Sequence, residues 1–342
     1  MSFWWLLPAA SVASFTLTAL LRQYALTRSL MDIPNARSSH SVPTPRGGGV
    51  AIVVVFLLVL GALFAQGLVA APVFYALIGA GAGVAVTGFM DDHGHIAARW
   101  RLAGHFCAAA WAVYWLQGLP VLDLFGLSVP LGWSGSLLAV VYLVWMLNLY
   151  NFMDGIDGIA SIEAVCACVG ASLLYAWDGQ MGLMGLPMLL AAAVGGFLLW
   201  NFPPARIFMG DAGSGFLGII LGAFSLQAAH IDSRWFWVWV ILLGVFVVDA
   251  TFTLLRRLTR GDKVYEAHRS HAYQYATRQY GRHLPVTLAV LSINVFWLFP
   301  LAFCVIHFGM DGALVTVAAY VPLLFVALRY HAGELETRES GA

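Results

Sequence analysis

Four groups of polar residues occur in this sequence where long apolar segments end or begin. They are Asp91-Asp92, the run 148–158, the run 208–214, and a loop that carries His268, Arg269 and His271. Carboxylate and amide oxygens are the ligands that Mg²⁺ prefers, while arginine and histidine donate hydrogen bonds to phosphate oxygens. The residue types therefore predict a site for a divalent cation and a phosphorylated substrate.

The run 148–158 reads Asn-x-x-Asn-x-x-Asp-Gly-x-Asp-Gly and closes an apolar segment. Residues three apart are neighbours on a helix surface, so Asn148, Asn151 and Asp154 can form one polar ridge at a helix end. The glycines beside Asp154 and Asp157 let the backbone approach a ligand closely. A polar helix cap or a calcium-loop lookalike is the alternative, but four such residues in so apolar a chain favour a function.

The other two acidic groups allow a functional and a simple structural interpretation. Asp91 and Asp92 are adjacent carboxylates, which repel each other unless a cation or a proton is shared; a solvated loop start is the alternative. In the run 208–214, Ser214 is a candidate helix cap, and a helix N-terminus with flanking glycines is an anion site. Asp211 beside that site fits a metal that bridges it to phosphate, whereas a plain capping turn needs no ligand.

The loop 256–285 interleaves arginines and histidines with tyrosines. One interpretation is a clamp for a diphosphate, in which Arg269 is a bidentate donor and His268 and His271 share one side. The other is a basic segment attracted to anionic lipid, with tyrosines at the membrane interface.

Two acids lie inside apolar segments. Asp249 is either a functional residue or the partner of a nearby arginine, because an ionisable group within a membrane is costly to place without a role. Glu163 is close enough to the start of its segment that we expect its side chain to reach the polar boundary.

The composition indicates an integral membrane protein. The chain of 342 residues is 61% hydrophobic and 10% charged, with a mean hydropathy of +0.83, whereas soluble domains carry about 25% charged residues. The formal net charge is +0, which argues against a nucleic-acid-binding protein. The four cysteines lie in apolar segments and do not suggest a disulfide framework.

Apolar segments of about 20 residues predict membrane-spanning helices. We count eleven: 3–21, 48–66, 68–90, 102–118, 135–151, 160–177, 183–200, 214–229, 235–255, 286–308 and 312–329. Ten spans with one re-entrant segment is the alternative. The expected fold is an all-α, polytopic membrane protein with one domain, 1–342.

The charges predict the orientation. All but Arg234 of the 17 Lys and Arg residues fall in every second gap between the spans or in the C-terminal tail, and so do the acidic groups. Basic loops stay in the cytoplasm, so we expect a periplasmic N-terminus and a cytoplasmic active site. No basic residue precedes the first span, which is therefore expected to be retained rather than cleaved as a signal peptide.

Together with the run 32–40 (Asp-Ile-Pro-Asn-Ala-Arg-Ser-Ser-His) and Pro43-x-Pro45-Arg46-Gly-Gly, these motifs resemble the polyprenyl-phosphate N-acetylhexosamine-1-phosphate transferase family, glycosyltransferase family 4. The similarity covers nearly the whole chain. It implies transfer of a sugar phosphate from a UDP-N-acetylhexosamine to undecaprenyl phosphate, with release of UMP. Mg²⁺ is the expected cofactor, with Mn²⁺ as the alternative.

The resemblance also implies a role for each matching residue. Asn151 and Asp211 would bind the metal. The catalytic carboxylates would be Asp91, Asp92, Asp154 and Asp157. Substrate binding would fall to Arg46, Asn148, Arg206, His268, Arg269 and His271.

One departure from the family bears on the sugar. Many relatives have His-x-His-His in the last motif, whereas here His271 is followed by Ala272, Tyr273 and Gln274. This variant favours a branch that initiates O-antigen synthesis in the bacterial inner membrane with a 6-deoxy sugar such as FucNAc or QuiNAc. UDP-GlcNAc is the alternative donor, a transporter is the alternative class, and a homodimer is left open.

Overall fold

The computed structural model describes residues 3–34, 39–94, 96–263 and 268–335. Residues 35–38 of the first inner-loop motif therefore lie outside the described residues, as do the two basic residues Arg37 and Arg338 that entered the orientation argument.

Nearly all regular structure in the described residues is helical. After a 3₁₀ turn, Phe3–Trp5, the helices are α1 Leu6–Thr27, α2 Val50–Ala65, α3 Ala71–His93, α4 Ala98–Leu116, α5 Gly132–Met153, α6 Ile159–Trp177, α7 Met181–Asn201, α8 Asp211–Ala229, α9 Arg234–Leu242, α10 Gly244–Thr259, α11 Ala272–Tyr280, α12 Leu284–Ile293, α13 Phe299–His307 and α14 Gly312–Arg329. A π-helical turn, Asn294–Leu298, joins α12 to α13. The predicted all-α class is confirmed.

Within the described ranges, seven helices are long and apolar enough to cross a membrane: α3, α5, α6, α7, α8, the α12–α13 rod and α14. The pair α9 and α10 meets the same criteria but bends by 75°, so counting it as one broken span gives eight. The chain is thus a multi-pass membrane protein. Every one of the eleven predicted segments overlaps a helix, but α2 is short and α1 and α4 are not among the eight. Eleven crossings and the orientation stay predictions.

Helix α8 lies at the centre of the bundle, and 94% of the residues in its apolar stretch are buried by protein. Glycines make this possible because they let neighbouring backbones approach closely. A Cβ on Gly218 would lie 2.6 Å from the carbonyl oxygen of Met146 on α5, and a Cβ on Gly88 of α3 would lie 2.5 Å from the backbone nitrogen of Ala212. The start of α8 is therefore held between the ends of α3 and α5.

Two short antiparallel pairs complete the fold. Strand β1, Met31–Asp32, pairs with β2, Thr44–Pro45, near the start of α8. Strands β3, Leu122–Leu124, and β4, Leu127–Val129, form a hairpin that connects α4 to α5 at the other end of the bundle.

The expectation for Glu163 was wrong. Its side chain does not reach the polar boundary but is 0% exposed, and its Oε2 accepts a hydrogen bond of 2.6 Å from Asn294 Nδ2. A buried carboxyl needs a hydrogen-bond partner, and Asn294 supplies it.

Candidate active site

A cavity of about 230 Å³ opens where α3 and α5 end and α8 begins. Its lining residues include Asp32, Ser39, His40, Arg46, Asp92, Asn151, Asp154, Gly155, Asp157, Phe208, Asp211, Gln274 and His283. Residues from all four predicted motif groups and from the first inner loop either line this cavity or lie in the segments around it. The structure thus brings together segments that are far apart in the sequence: the contact between His283 and Ser39 joins residues 244 positions apart.

The first inner loop reaches the cavity by backbone pairing. The N–H groups of Gly48 and Gly49 donate to the carbonyls of Phe208 and Met209, each over 2.9 Å, and the N–H of Phe208 donates to Pro45 over 2.8 Å. A Cβ on Gly49 would lie only 2.6 Å from Cα of Gly213. The glycine run is therefore needed for this close contact, which places Arg46 at the cavity.

Asp92 caps helix α8 from the end of α3. Its buried carboxylate faces the backbone N–H groups of Asp211 and Ala212, at 3.4 and 3.5 Å. Gly210 has φ of +79°, and a Cβ there would lie 2.8 Å from Asp92 Oδ2, so glycine is required at this turn. Arg46 donates to the backbone carbonyl of Asp92.

Ser214 does not cap α8, contrary to the sequence-based expectation. It is the fourth residue of the helix, and its hydroxyl donates to Asn151 Oδ1 over 2.8 Å. The cap comes from Asp92 because the end of α3 packs against the first turn of α8. Ser214 instead orients the Asn151 amide.

Asp91 is not among the cavity-lining residues. Its Oδ2 accepts a 2.6 Å hydrogen bond from Arg101 Nη1, and its Oδ1 accepts one of 2.8 Å from the N–H of Ile96. The same Arg101 nitrogen lies 3.7 Å from Asp211 Oδ2. Arg101, which sequence reasoning did not single out, therefore connects the two predicted carboxylates.

The predicted polar ridge on α5 is only partly at the cavity. Asn151 and Asp154 line it, whereas Asn148 does not. The Asn148 side-chain amide donates to the carbonyl of Val144, one turn further into the bundle, over 2.7 Å.

Asp154 directly follows the last residue of α5, and its carboxyl lies in an electrostatically unfavourable environment. Burial, followed by the charges of Asp211, Asp92 and Asp157, raises the pKa of its carboxyl well above the ordinary value of 3.8. Several carboxylates in one cavity favour a shared proton or a bound cation. Next to it, a Cβ on Gly155 would lie 2.1 Å from the hydroxyl oxygen of Tyr273, so a larger residue here requires the Tyr273 side chain to move.

Asp157, which follows α5, contacts both the segment before α8 and the start of α12. Its Oδ2 accepts a 2.9 Å hydrogen bond from the N–H of Ala205, and its Oδ1 lies 2.9 Å from His283 Nδ1. Thr287 donates to the Asp157 carbonyl over 2.8 Å. Sequence reasoning missed His283, which carries no signal beyond being one more basic residue in a basic loop.

The histidine loop lies beside the cavity rather than in its wall. His268, Arg269 and His271 are not lining residues, whereas Gln274 is. His271 is 3% exposed, and its Nδ1 lies 3.2 Å from Asp249 Oδ1. Burial, followed by the electrostatic influence of His271 and Arg257, lowers the pKa of His268 to about 3, so His268 is neutral at neutral pH.

Asp249 caps helix α11 and does not pair with an arginine in the described contacts. Its two carboxylate oxygens accept from the N–H groups of Ala272 and Tyr273, each over 3.0 Å. A carboxylate is stabilised at a helix N-terminus by the unpaired N–H groups there. The motif around His271 is thereby fixed to α10.

Arg206 is exposed and lies away from the cavity lining. Its guanidinium stacks over Trp200 at 5.7 Å, next to Arg22. This is an arrangement typical of the membrane interface, where aromatic and basic side chains meet.

The cavity offers oxygen donors that a metal ion could use. Among the described residues, no group of three or more His, Cys, Asp or Glu side chains is arranged to hold one. The cavity nevertheless presents the Asn151 amide and the carboxylates of Asp92, Asp154 and Asp211. Oxygen-only donors with few protein ligands fit Mg²⁺, which keeps several waters and binds substrate phosphates.

Comparison with known proteins agrees with this chemistry. Residues 74–229 match the model of glycosyl transferase family 4. The chain is 29% identical over 266 residues to a probable undecaprenyl-phosphate N-acetylglucosaminyl 1-phosphate transferase of Bacillus subtilis strain 168, covering 75% of this chain and 72% of that protein. It is 29% identical over 322 residues to the decaprenyl-phosphate N-acetylglucosaminephosphotransferase of Mycobacterium tuberculosis H37Rv, covering 82% and 77%.

A phospho-N-acetylmuramoyl-pentapeptide-transferase of Streptococcus pneumoniae D39 is 30% identical over 157 residues, or 45% of this chain and 47% of that protein. The fold and the cavity are those of a membrane protein with an acidic site at one end of its helix bundle. The chain is thus similar to the glycosyl transferase family 4 model over 74–229 and to polyprenyl-phosphate transferases over most of its length. The chain is a phosphotransferase of the sugar-1-phosphate type.

Proposed function

We propose that this enzyme transfers N-acetylhexosamine-1-phosphate from a UDP-sugar to undecaprenyl phosphate and releases UMP. The observation that carries the proposal is the shared cavity of Asp92, Asn151, Asp154 and Asp211 at the end of the helix bundle. A lipid phosphate can reach such a position while its chain stays in the bilayer. A transporter would instead place ionisable groups at broken helices near the bilayer midplane.

The proposed reaction is a single displacement. An oxygen of the lipid phosphate attacks the sugar-proximal phosphorus of the UDP-sugar, a new P–O bond forms, and the bond to UMP breaks. Catalysis of phosphoryl transfer consists mainly of positioning and charge neutralisation. Asp92 lines the cavity and Asp91 does not, so we assign the orientation of the lipid phosphate to Asp92, while Asp91 acts on Asp211 through Arg101.

The proposed metal ligands are Asn151 and Asp211, with Mg²⁺ as the ion and Mn²⁺ as a substitute. The bound ion would neutralise charge on the diphosphate and on the leaving UMP. Arg46 lines the cavity, and we assign its guanidinium to the substrate phosphates. His268, Arg269 and His271 would act from beside the cavity.

The biological setting is part of the proposal. The bacterial inner membrane is the location, and initiation of O-antigen or another cell-surface polysaccharide is the role. The donor is a 6-deoxy N-acetylhexosamine such as FucNAc or QuiNAc, with UDP-GlcNAc as the second candidate because relatives are named for N-acetylglucosamine. A homodimer is compatible with this role.

The test is UMP release by the purified full-length protein with undecaprenyl phosphate, Mg²⁺ and a panel of UDP-N-acetylhexosamines. Release is expected to need lipid and metal, and to be lost in Asp211→Ala. Asp178→Ala is the matched control. Helix α6 begins just after Asp157 at the cavity, and Asp178 follows its other end. Equal release by Asp211→Ala and the wild type would refute the assignment of the site, and the fastest sugar identifies the donor.

A further inference from the structure

A second cavity of about 420 Å³ adjoins the acidic one. The two share five lining residues, namely Ser39, His40, Asp157, Phe208 and His283. Of these, His283 is the residue whose side chain spans from the segment after α5 to the first inner loop. The His283 side chain is thus part of the wall that separates the two cavities.

Both ring nitrogens of His283 face oxygen atoms. Nδ1 lies 2.9 Å from Asp157 Oδ1, and Nε2 lies 2.9 Å from the carbonyl oxygen of Ser39. A carbonyl oxygen and a carboxylate oxygen can only accept hydrogen bonds. Both contacts are therefore satisfied together only when both nitrogens carry a proton.

The neutral ring fits less well. If Nδ1 lacked a proton, it could accept from the N–H of Asp157, but that distance is 3.3 Å, and its lone pair would face a carboxylate oxygen at 2.9 Å. The contact between Nδ1 and the Asp157 carboxylate is the shorter of the two, and it is favourable only when Nδ1 carries a proton. The geometry therefore favours the imidazolium over the neutral ring. Burial lowers the pKa of His283, but the hydrogen bond and charge of Asp157 and the Ser39 carbonyl raise it more, so the net shift is upward from 6.5.

Besides the pair itself, the titratable residues that line the second cavity are His40, from the first inner loop, and Arg282, which directly precedes His283. From α12, the neutral Thr287 contacts the Asp157 carbonyl. The side chains of His283 and Asp157 are 13% and 11% exposed, so water screens their interaction only partly.

We propose that His283, as an imidazolium, is a positioning residue that fastens the first inner loop to Asp157 and so shapes the wall against which the nucleotide sugar binds. This inference rests on the proposed transferase function. The fastened loop also carries His40 and Arg46, which line the acidic cavity. Loss of the cation is therefore expected to weaken donor binding more than it slows the chemical step.

The pH dependence follows from the upward shift. A group whose folded pKa lies above its unfolded value contributes stability that is complete below the unfolded pKa and is lost as pH rises through the folded pKa. The fastening is thus complete below pH 6.5 and is released on the alkaline side.

The first test needs no measurement of activity. Hydrogen–deuterium exchange of residues 39–46 in the wild-type protein is compared at about pH 6 and about pH 9, with the hairpin 122–129 as the internal reference for the intrinsic effect of pH. We expect exchange of 39–46 to rise relative to the hairpin at the higher pH and to rise at both pH values in His283→Gln. No change relative to the hairpin in either comparison overturns the fastening.

The second test measures kinetics. His283→Gln is expected to raise KM for the UDP-sugar about tenfold, the effect of losing one charged hydrogen bond, with a smaller change in kcat and loss of the alkaline dependence of KM. His230→Gln is the matched control, because His230 also contacts a backbone carbonyl, that of Gly118, over 2.9 Å. His283→Lys, which keeps a cation, is expected to recover part of the affinity.

The outcomes separate the two proposals. Faster exchange with unchanged KM overturns the positioning role, and equal KM changes in His283→Gln and His230→Gln overturn it as well. If the wild type releases no UMP with any sugar, the transferase proposal fails, while the exchange experiment still decides whether His283 holds the loop.

Discussion

Asp92 and Asp211 are 119 positions apart, yet the carboxylate of the first faces the backbone N–H of the second at 3.4 Å. One acidic residue thus caps the helix that begins with another. Two nearby carboxylates repel each other, and the unpaired N–H groups of α8 offset part of that repulsion. The contact fixes α3 and α8 relative to each other at the cavity.

We expect Asp92→Asn to lower the rate of UMP release about 100-fold or more, because an oriented catalytic carboxylate contributes on that scale. Asparagine still offers a side-chain oxygen to the N–H groups of α8, so stability is expected to change little. Asp311→Asn is the control, since Asp311 caps α14 through a 2.9 Å contact with the N–H of Leu314. The control should keep both its stability and its activity; a similar rate of UMP release for both variants would contradict the role of Asp92.

Arg101 holds Asp91 and stands near Asp211, at 2.6 and 3.7 Å. Replacing it by glutamine leaves a largely buried Asp91 carboxylate without its cation, so we expect UMP release to fall about tenfold, the scale of one charged hydrogen bond. Arg99→Gln serves as the control, because Arg99 stacks on Trp100 at 5.8 Å. Equal rates in the two variants would show that the Arg101 connection is dispensable.

Gly155→Ala is expected to abolish activity by steric conflict, since the added Cβ would lie 2.1 Å from the Tyr273 hydroxyl oxygen. Tyr273→Phe in the same chain removes that oxygen and leaves Cζ at 3.1 Å, so the double variant should recover part of the activity. Tyr273→Phe alone loses a 2.9 Å hydrogen bond to Phe152, at a cost of about 1 kcal/mol. Gly182→Ala, where the space is open, is the control; absence of rescue would contradict the steric explanation.

The raised pKa of Asp154 indicates that its ionised carboxylate lowers the stability of the folded protein, although the proposed activity needs it. Its folded pKa lies above 3.8, so the favourable contribution of the protonated form is lost as pH rises through the folded pKa. In metal-free protein near neutral pH, Asp154→Asn is therefore expected to raise the thermal midpoint while it abolishes UMP release. Asp178→Asn should change neither; a lowered midpoint for Asp154→Asn in the absence of metal would contradict the charge argument.

The sequence predicted the residues whose position depends on local spacing. Asn151 and Asp154 share a face of α5 because they are three apart, and Asp92 and Asp211 mark the ends of apolar segments. Arg101 and His283 could not be predicted, because each reaches the site through tertiary packing of a separate helix. Lone basic residues in basic loops have no local pattern that would single them out.

The histidine loop shows the opposite case, in which a motif was visible but its geometry was not. His271 has the residue type of a phosphate ligand, yet it is buried against Asp249. An acid inside an apolar segment suggests a role but does not reveal its partner, and here the partners are the N–H groups at the start of α11. Capping across helices depends on how they pack, which the sequence pattern does not contain.

The central place of α8 has a consequence for how the enzyme responds to its lipid surroundings. Changes in bilayer thickness or in acyl-chain composition act first on helices that touch lipid. Such helices respond by tilting or kinking. Because α8 is enclosed by protein, we expect Asp211 to keep its place in thin and thick bilayers and in detergent micelles alike. Sensitivity to membrane composition should then arise in the binding of the lipid substrate rather than in the integrity of the acidic cavity.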